Sequence, residues 1–229
     1  MKTIGLIGGL SWQSSIDYYR LLNEDVQRRL GGHHNARSVM VSVDFFDAEA
    51  MMRAGDWAGL TSLLVDAGRR VQAAGADFAL LCTNTMHRLA APLQAALDIP
   101  LLNIIDVTAS AVRNAGLSQV ALLGTRFVMR EDFYVLRLAD GGVQAMVPDA
   151  DGQAEVDRII FEELTHGRIT DASRQAYLRI IGELQERGAQ GVILGCTEIG
   201  LLLKQDDCTS PLFDTTALHA RAAVDRALE

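Results

Sequence analysis

The chain has 229 residues, 49% of them hydrophobic, 22% charged and 6% aromatic, and its formal net charge is -8. That apolar content excludes a mainly disordered state, and the length suits one large or two small α/β domains. The 29 acidic residues outnumber 21 basic ones, of which only Lys2 and Lys204 are lysines, so no positive excess is left for a nucleic-acid backbone.

The opening MKTIGLIGGLSW holds an apolar stretch too short for a signal peptide, and no apolar span of ~20 residues follows. The expectation is a cytoplasmic protein without membrane contact. Cys82, Cys196 and Cys208 are odd in number and far apart, which does not read as a disulfide framework.

In chain order the pattern predicts strand 3–7, helix 14–30, strand 37–43, helix 60–74, strand 78–81, strand 101–103, helix 106–115, strand 119–123 and strand 143–146. Helices 155–166 and 171–187, strand 191–194 and helix 216–228 complete the series. Short apolar runs alternating with amphipathic segments imply α/β architecture, with mainly parallel sheets flanked by helices. Gly75 and Gly188 stand where helix stops belong, and no Pro/Gly/Ser-rich linker divides the chain.

An internal repeat organises this series. Lys2–Gly9 aligns with Ser118–Thr125, Gly75–Thr83 with Gly188–Cys196, and Pro100–Asn103 with Pro211–Asp214, at offsets of 116, 113 and 111. Three pairs in one order point to two related halves. Open α/β sheets bind ligands beyond the carboxyl ends of their strands, so two facing halves would enclose one site in the cleft between them. The proline pair suggests crossings near these points, giving a first domain of 1–98 plus a returning 210–229 and a second of 99–209.

The same alignment pairs Cys196 with Thr83 and Cys82 with Gly195; matching the two cysteines needs a one-residue slip to the opposite face of the strand. A thiol just past a strand can be held as thiolate by backbone N–H groups. Cys196, beside Gly195, Thr197 and Glu198, fits that role. Cys82 ends an apolar run and reads as a small buried hydrophobe, and Cys208 as incidental.

Cys82-Thr83-Asn84-Thr85-Met86-His87 and Gly195-Cys196-Thr197-Glu198-Ile199, with Ile7-Gly8-Gly9-Leu10 and Lys204-Gln205-Asp206-Asp207, resemble the motifs of the aspartate/glutamate racemase family. The resemblance spans essentially the whole chain and is nearest the L-aspartate/glutamate-specific or broad-specificity amino-acid racemase branch. It implies two pseudo-symmetric α/β domains, a homodimer, and racemisation with no pyridoxal phosphate and no metal. In that family two opposed cysteines act as base and acid on either face of the α-carbon. Here Thr83 fills the first cysteine slot, as the same branch has it, and only Cys196 is a thiol in place. A cysteine with pKa about 8.5 can act as base near neutrality, whereas a threonine hydroxyl can only relay or donate, so the two directions should differ in rate.

A second departure concerns the substrate side chain. The arginine after strand two and the second-domain lysine that bind a distal carboxylate in aspartate racemases correspond to Asp47 and Thr165. Arg53, Arg126 or Arg168 can supply the charge instead, or each is a solvated surface residue. Asn84 and Thr85 open a helix and can hold an α-carboxylate; Thr125 and the Gly8-Gly9 backbone are further candidates. Glu198 can orient the thiol, meet the substrate ammonium or cap the next helix, and His87 can act behind Thr83 or be structural. His33 and His34 have no carboxylate at ligand spacing, neither lysine suits a Schiff base, and the glycines are not in dinucleotide-binding order.

The expectation is a cofactor-independent amino-acid racemase, aspartate and glutamate first, with Cys196 and Thr83 catalytic. Gly9, Leu10, Arg53, Asn84, Thr85, Thr125 and Thr197 are the expected substrate-binding positions. The rivals are a single-cysteine decarboxylase and a non-catalytic amino-acid-binding protein.

Overall fold

Buried strands alternate with helices throughout the computed structural model, which describes residues Met1–Glu229. The chain divides into two compact units, Met1–Asn103 with His219–Glu229, and Ile104–Leu218.

The first unit runs β1 (Ile4–Gly8), α1 (Trp12–Leu30), β2 (Ser38–Ser42), α2 (Phe45–Ala54), α3 (Trp57–Ala73), β3 (Phe78–Leu81), a 3-10 turn over Thr85–Leu89, α4 (Ala90–Ala95) and β4 (Leu101–Leu102). All four strands are parallel, in the order β2-β1-β3-β4. The central strands β1 and β3 are buried along their whole length, which is why they read as unbroken apolar runs. On one face Ile4, Leu6, Phe78, Leu80 and Cys82 pack against Tyr18, Leu22 and Val26 of α1.

The second unit runs α5 (Ile104–Asn114), β5 (Gln119–Gly124), α6 (Arg126–Arg130), α7 (Asp132–Asp140), β6 (Gln144–Met146), α8 (Ala150–Glu162), a 3-10 turn over Leu164–His166, α9 (Asp171–Glu186), β7 (Val192–Gly195), α10 (Ile199–Leu202), a 3-10 turn over Gln205–Asp207, and β8 (Leu212–Asp214). Its sheet, β6-β5-β7-β8, is again all parallel and repeats the first strand for strand. Helices α8 and α9 cover the β7 face that carries Val192, Leu194 and Cys196; α5 and α7 cover the face of Ile193. The last helix, α11 (Thr215–Leu228), starts in the second unit and finishes in the first.

The units change after Asn103 and after Leu218, where the expectation had the boundaries after residues 98 and 209. Pro100 and Pro211 precede β4 and β8, the last strand of each sheet, so each sheet is completed before the chain leaves it. Strand β8 and helices α2, α4, α6, α7 and α10 are additions to the expected series, and α8 ends earlier than expected. Asp149 accepts from the Gly152 N–H at 2.9 Å and starts α8, while Glu163 leaves helical geometry at φ -123°, ψ -63° and stops it.

Candidate active site

The carboxyl end of β1 turns on Gly9, at φ +84°, where an added Cβ would lie 2.1 Å from the Val43 carbonyl oxygen; only glycine fits. Its N–H donates to Ser15 Oγ at 2.9 Å, and Ser11 caps α1 by accepting from the Ser14 N–H at 3.3 Å. Leu10, 6% exposed, follows in the same turn.

Strand register fixes which residues of the two units are equivalent. Leu81 pairs with Ile7, and Leu194 pairs with Leu123. Two residues on from Leu81 and Leu194 stand Thr83 and Cys196. Alternation agrees: Val192, Leu194 and Cys196 face one core, so their counterparts are Ala79, Leu81 and Thr83. Cys82 points the other way, into the core with Phe78 and Leu80. Burial pushes its thiol far above the ordinary range.

Thr83 is half-buried, and its backbone is engaged at both ends. Its N–H donates to the Leu81 carbonyl at 2.8 Å, and its own carbonyl accepts from His87 Nδ1 at 2.7 Å. His87 therefore holds the main chain behind Thr83. Its ring meets that of His219 edge-on, 6.0 Å between centroids. His219 Nε2 donates to the Leu102 carbonyl at 2.9 Å, and Tyr18 donates its hydroxyl to Nδ1 at 2.7 Å; burial lowers this histidine to about 4. Asn84 and Thr85 are buried at the start of the 3-10 turn.

The β7 end is built differently. Cys196 Sγ donates to Glu198 Oε2 at 3.0 Å, and Thr197 Oγ1 donates to the same oxygen at 2.7 Å. Cys196 and Glu198 are both buried, 8% and 4% exposed. Glu198 makes no side-chain cap to α10, and its carboxylate meets the thiol. Burial first, then the negative charge of Glu198, raises the Cys196 thiol well above its ordinary value. Sequence reading had missed two further groups: Asp157 on α8, whose charge also raises the thiol, and Tyr177 on α9, whose ionisation is opposed first by burial and then by Cys196. Both lie at distant positions on helices whose pattern only says which side is apolar, so nothing in the sequence marks them.

Thr125 is buried, equivalent to Gly9, and caps α6 by accepting from the Val128 N–H at 3.4 Å. No group of three or more His, Cys, Asp or Glu side chains stands where it could hold a metal, and no helix is long and apolar enough to cross a membrane. All three cysteines are free.

A family model described as Asp/Glu/hydantoin racemase matches residues 7–223. The chain belongs to this family. A crystal structure from Yersinia pestis, assigned in name to the Asp/Glu racemases, is 46% identical and superposes with a TM-score of 0.94, covering 100% of both chains. The crystal structure of an aspartate racemase homologue from Pyrococcus horikoshii OT3 is 33% identical with a TM-score of 0.89, again covering 100% of both. The broad specificity amino-acid racemase RacX of Bacillus subtilis (strain 168) is 26% identical over 163 residues, 70% of this chain and 69% of its own.

Within this racemase fold the positions expected to read the substrate side chain carry little free positive charge. Asp47 is exposed in the first turn of α2, and Thr165 Oγ1 donates to the Phe161 carbonyl at 2.9 Å. Arg53 is exposed at the end of α2 and binds Glu49 Oε1 through Nη2 at 2.6 Å and Nε at 3.1 Å. Arg126 lies over the Phe127 ring at 4.9 Å, while its N–H donates to Asp157 at 2.7 Å. Arg168 donates to the Glu162 carbonyl and lines a cavity of about 340 Å³ shared with Glu155, Arg158, Glu162 and Glu163.

Proposed function

We propose that this member of the Asp/Glu racemase family is an amino-acid racemase that works without pyridoxal phosphate or metal. Cys196 and Thr83 exchange protons with opposite faces of the substrate α-carbon. The observation that carries the reading is the shared register of these two residues, two positions past paired central strands, with a thiol at one and a hydroxyl at the other. Removing the α-proton leaves an electron pair that spreads into the substrate carboxylate, and reprotonation from the other face inverts the centre. The Gly9 and Leu10 turn, Asn84, Thr85, Thr125 and Thr197 hold the α-carboxylate and ammonium groups.

Aspartate and glutamate are the first substrates to test, with Arg53 as partner of the distal carboxylate. That carboxylate has to displace Glu49 from Arg53, so Arg53→Ala should raise KM for aspartate several-fold with little change in kcat. An unchanged KM would mean that the side chain is read elsewhere. The protein is proposed to be a cytoplasmic homodimer acting on free amino acids. Deuterium uptake at Cα, followed by NMR across the twenty L-amino acids, tests the activity. No uptake from any of them would leave an amino-acid-binding protein.

A single usable thiol also suits an enzyme that protonates a carbanion from one face, as a decarboxylase does. Product analysis separates the two: an enantiomer for the racemase, carbon dioxide for the decarboxylase.

A further inference from the structure

Three elements of the first unit meet at one buried side chain. His219 of α11 donates through Nε2 to the Leu102 carbonyl of β4 at 2.9 Å and accepts at Nδ1 from the Tyr18 hydroxyl of α1 at 2.7 Å. Both nitrogens of the neutral ring are therefore engaged. His219 and Tyr18 are fully buried, and their rings meet edge-on, 5.6 Å between centroids. Turning the imidazole would break both bonds inside the core, so the ring is fixed.

This fixed ring stands against His87, at 6.0 Å between centroids and 70° between planes. His87 is 4% exposed and gives its Nδ1 hydrogen to the Thr83 carbonyl at 2.7 Å, while its backbone N–H goes to the Asn84 carbonyl at 3.0 Å. The carbonyl just ahead of the 3-10 turn is thus held by an imidazole. That bond sets the peptide plane after Thr83, and with it the direction in which the hydroxyl leaves the main chain.

The second unit lacks this support. At the repeat offset of 113, His87 corresponds to Gly200, which has no ring and whose Cβ position lies 2.8 Å from Asp214 Oδ2. The extra support therefore stands behind the hydroxyl and not behind the thiol. A hydroxyl is a poor acid and base near neutrality, so it depends on placement, and a displacement of about 1 Å can cost about 10²-fold in rate.

We infer that Tyr18 and His219 are positioning residues for proton transfer at Thr83: they hold His87, and His87 holds the Thr83 main chain. Neither touches substrate in this role. The inference rests on the racemase reading, and its signature is one-sided, since only the enantiomer that gives its proton to Thr83 depends on the column.

Deuterium uptake at Cα is measured for the L and D enantiomers separately, before appreciable inversion, in the unmutated protein, Tyr18→Phe and His219→Phe. Tyr18→Phe removes one hydroxyl, and His219→Phe keeps a ring against His87 without its two hydrogen bonds. Each should slow exchange of the Thr83-facing enantiomer by about 10–10²-fold at little-changed KM, and leave the Cys196-facing one nearly as fast. Loss shared equally by both enantiomers is what a merely structural role gives, and it overturns the inference, as does unchanged exchange of both.

Nitrogen NMR of the histidine side chains gives a reading that does not depend on activity. In the unmutated protein His219 should carry its proton on Nε2 and His87 on Nδ1, each as a single tautomer. In both variants His87 should become a mixture of tautomers; a folded His219→Phe that keeps the single Nδ1–H form overturns the inference. Where neither variant folds, the unmutated protein decides: the expected pair of tautomers supports the column, and His219 protonated on Nδ1 or His87 on Nε2 overturns it. Unmutated protein that exchanges no α-proton would sink the racemase reading and the positioning role with it. Unmutated protein that exchanges, beside variants without the one-sided loss, overturns the inference alone.

Discussion

The ends of β3 and β7 are the same place in two copies of one sheet, and they have been equipped in opposite ways. At β3 the thiol, Cys82, points into the core and the residue in phase with Cys196 is Thr83, supported through its backbone by His87. At β7 the thiol is on the other phase and faces a buried carboxylate. A one-residue difference in where cysteine falls thus sends one sulfur into the core beneath α1 and sets the other beside Glu198, because successive strand residues face opposite ways. The type of residue says less than its phase.

The largest expected effect comes from the β7 end. Cys196→Ala should lower α-proton exchange by about 10²–10⁴-fold or more in the enantiomer facing it, as loss of a general base implies. Solvent deuterium uptake reads it directly. If Cys82→Ala were the inactive variant instead, the equivalence of Thr83 and Cys196 would be broken.

A smaller change sharpens the asymmetry. Thr83→Cys places a second thiol in phase with Cys196 and should speed exchange of the slow enantiomer more than that of the fast one. Equal exchange of both enantiomers by the unmutated protein would mean that Thr83 already serves as well as a thiol. The equilibrium ratio stays at one in every variant, so the imbalance appears in the separate values of kcat/KM.

Behind Thr83, the buried His219 makes the first unit sensitive to acid. Its pKa is depressed by burial from 6.5 to about 4, so below about pH 6.5 the unfolded chain takes a proton that the folded one refuses. Stability should therefore fall as pH drops from about 6.5 towards 4, by on the order of 3 kcal/mol in total. Thermal melts across that range, repeated on His219→Gln, should show a flatter acid side for the variant. An identical slope in both would assign the effect to other groups.

The smallest effect is expected at Cys82. Cys82→Ala removes one buried sulfur and should cost about 1 kcal/mol of stability, with exchange activity nearly intact. Its thiol is raised in the folded protein, so its contribution is complete below the unfolded value near 8.5 and is lost as pH rises above it. The variant should accordingly lose less stability than the unmutated protein between about pH 8.5 and 10 in melting experiments.

Much of this contrast is legible in the amino-acid order. The buried central strands announce themselves as apolar runs, and the repeat at offsets near 113 already pairs Thr83 with Cys196. Strand β8 was harder to find because Leu212–Asp214 offers three residues with a single buried side chain, Phe213, between half-buried Leu212 and Asp214. Helix α2 buries only Ala48 and Met52 and so lacks a clear apolar stripe. At the site, the Cys196–Glu198 contact depends on side-chain direction past the strand end, which spacing leaves open among three roles. Asp157 and Tyr177 couple electrostatically to the same thiol from helices upstream in the chain, and only the packing of α8 and α9 on β7 brings them there.

The course of α11 has a consequence for how the protein is made. Ala220, Ala223, Val224 and Ala227 complete the core that Ile4, Leu6, Tyr18, Leu22 and Phe78 begin, and His219 and Asp225 add bonds to Tyr18 and Arg29. The second unit, by contrast, is drawn from one continuous stretch, Ile104–Leu218. On the ribosome the first unit emerges early with one side of its sheet short of a helix, and it must wait with apolar surface uncovered until residues 219–229 are synthesised. The half of the molecule that is translated first is therefore the half that is finished last.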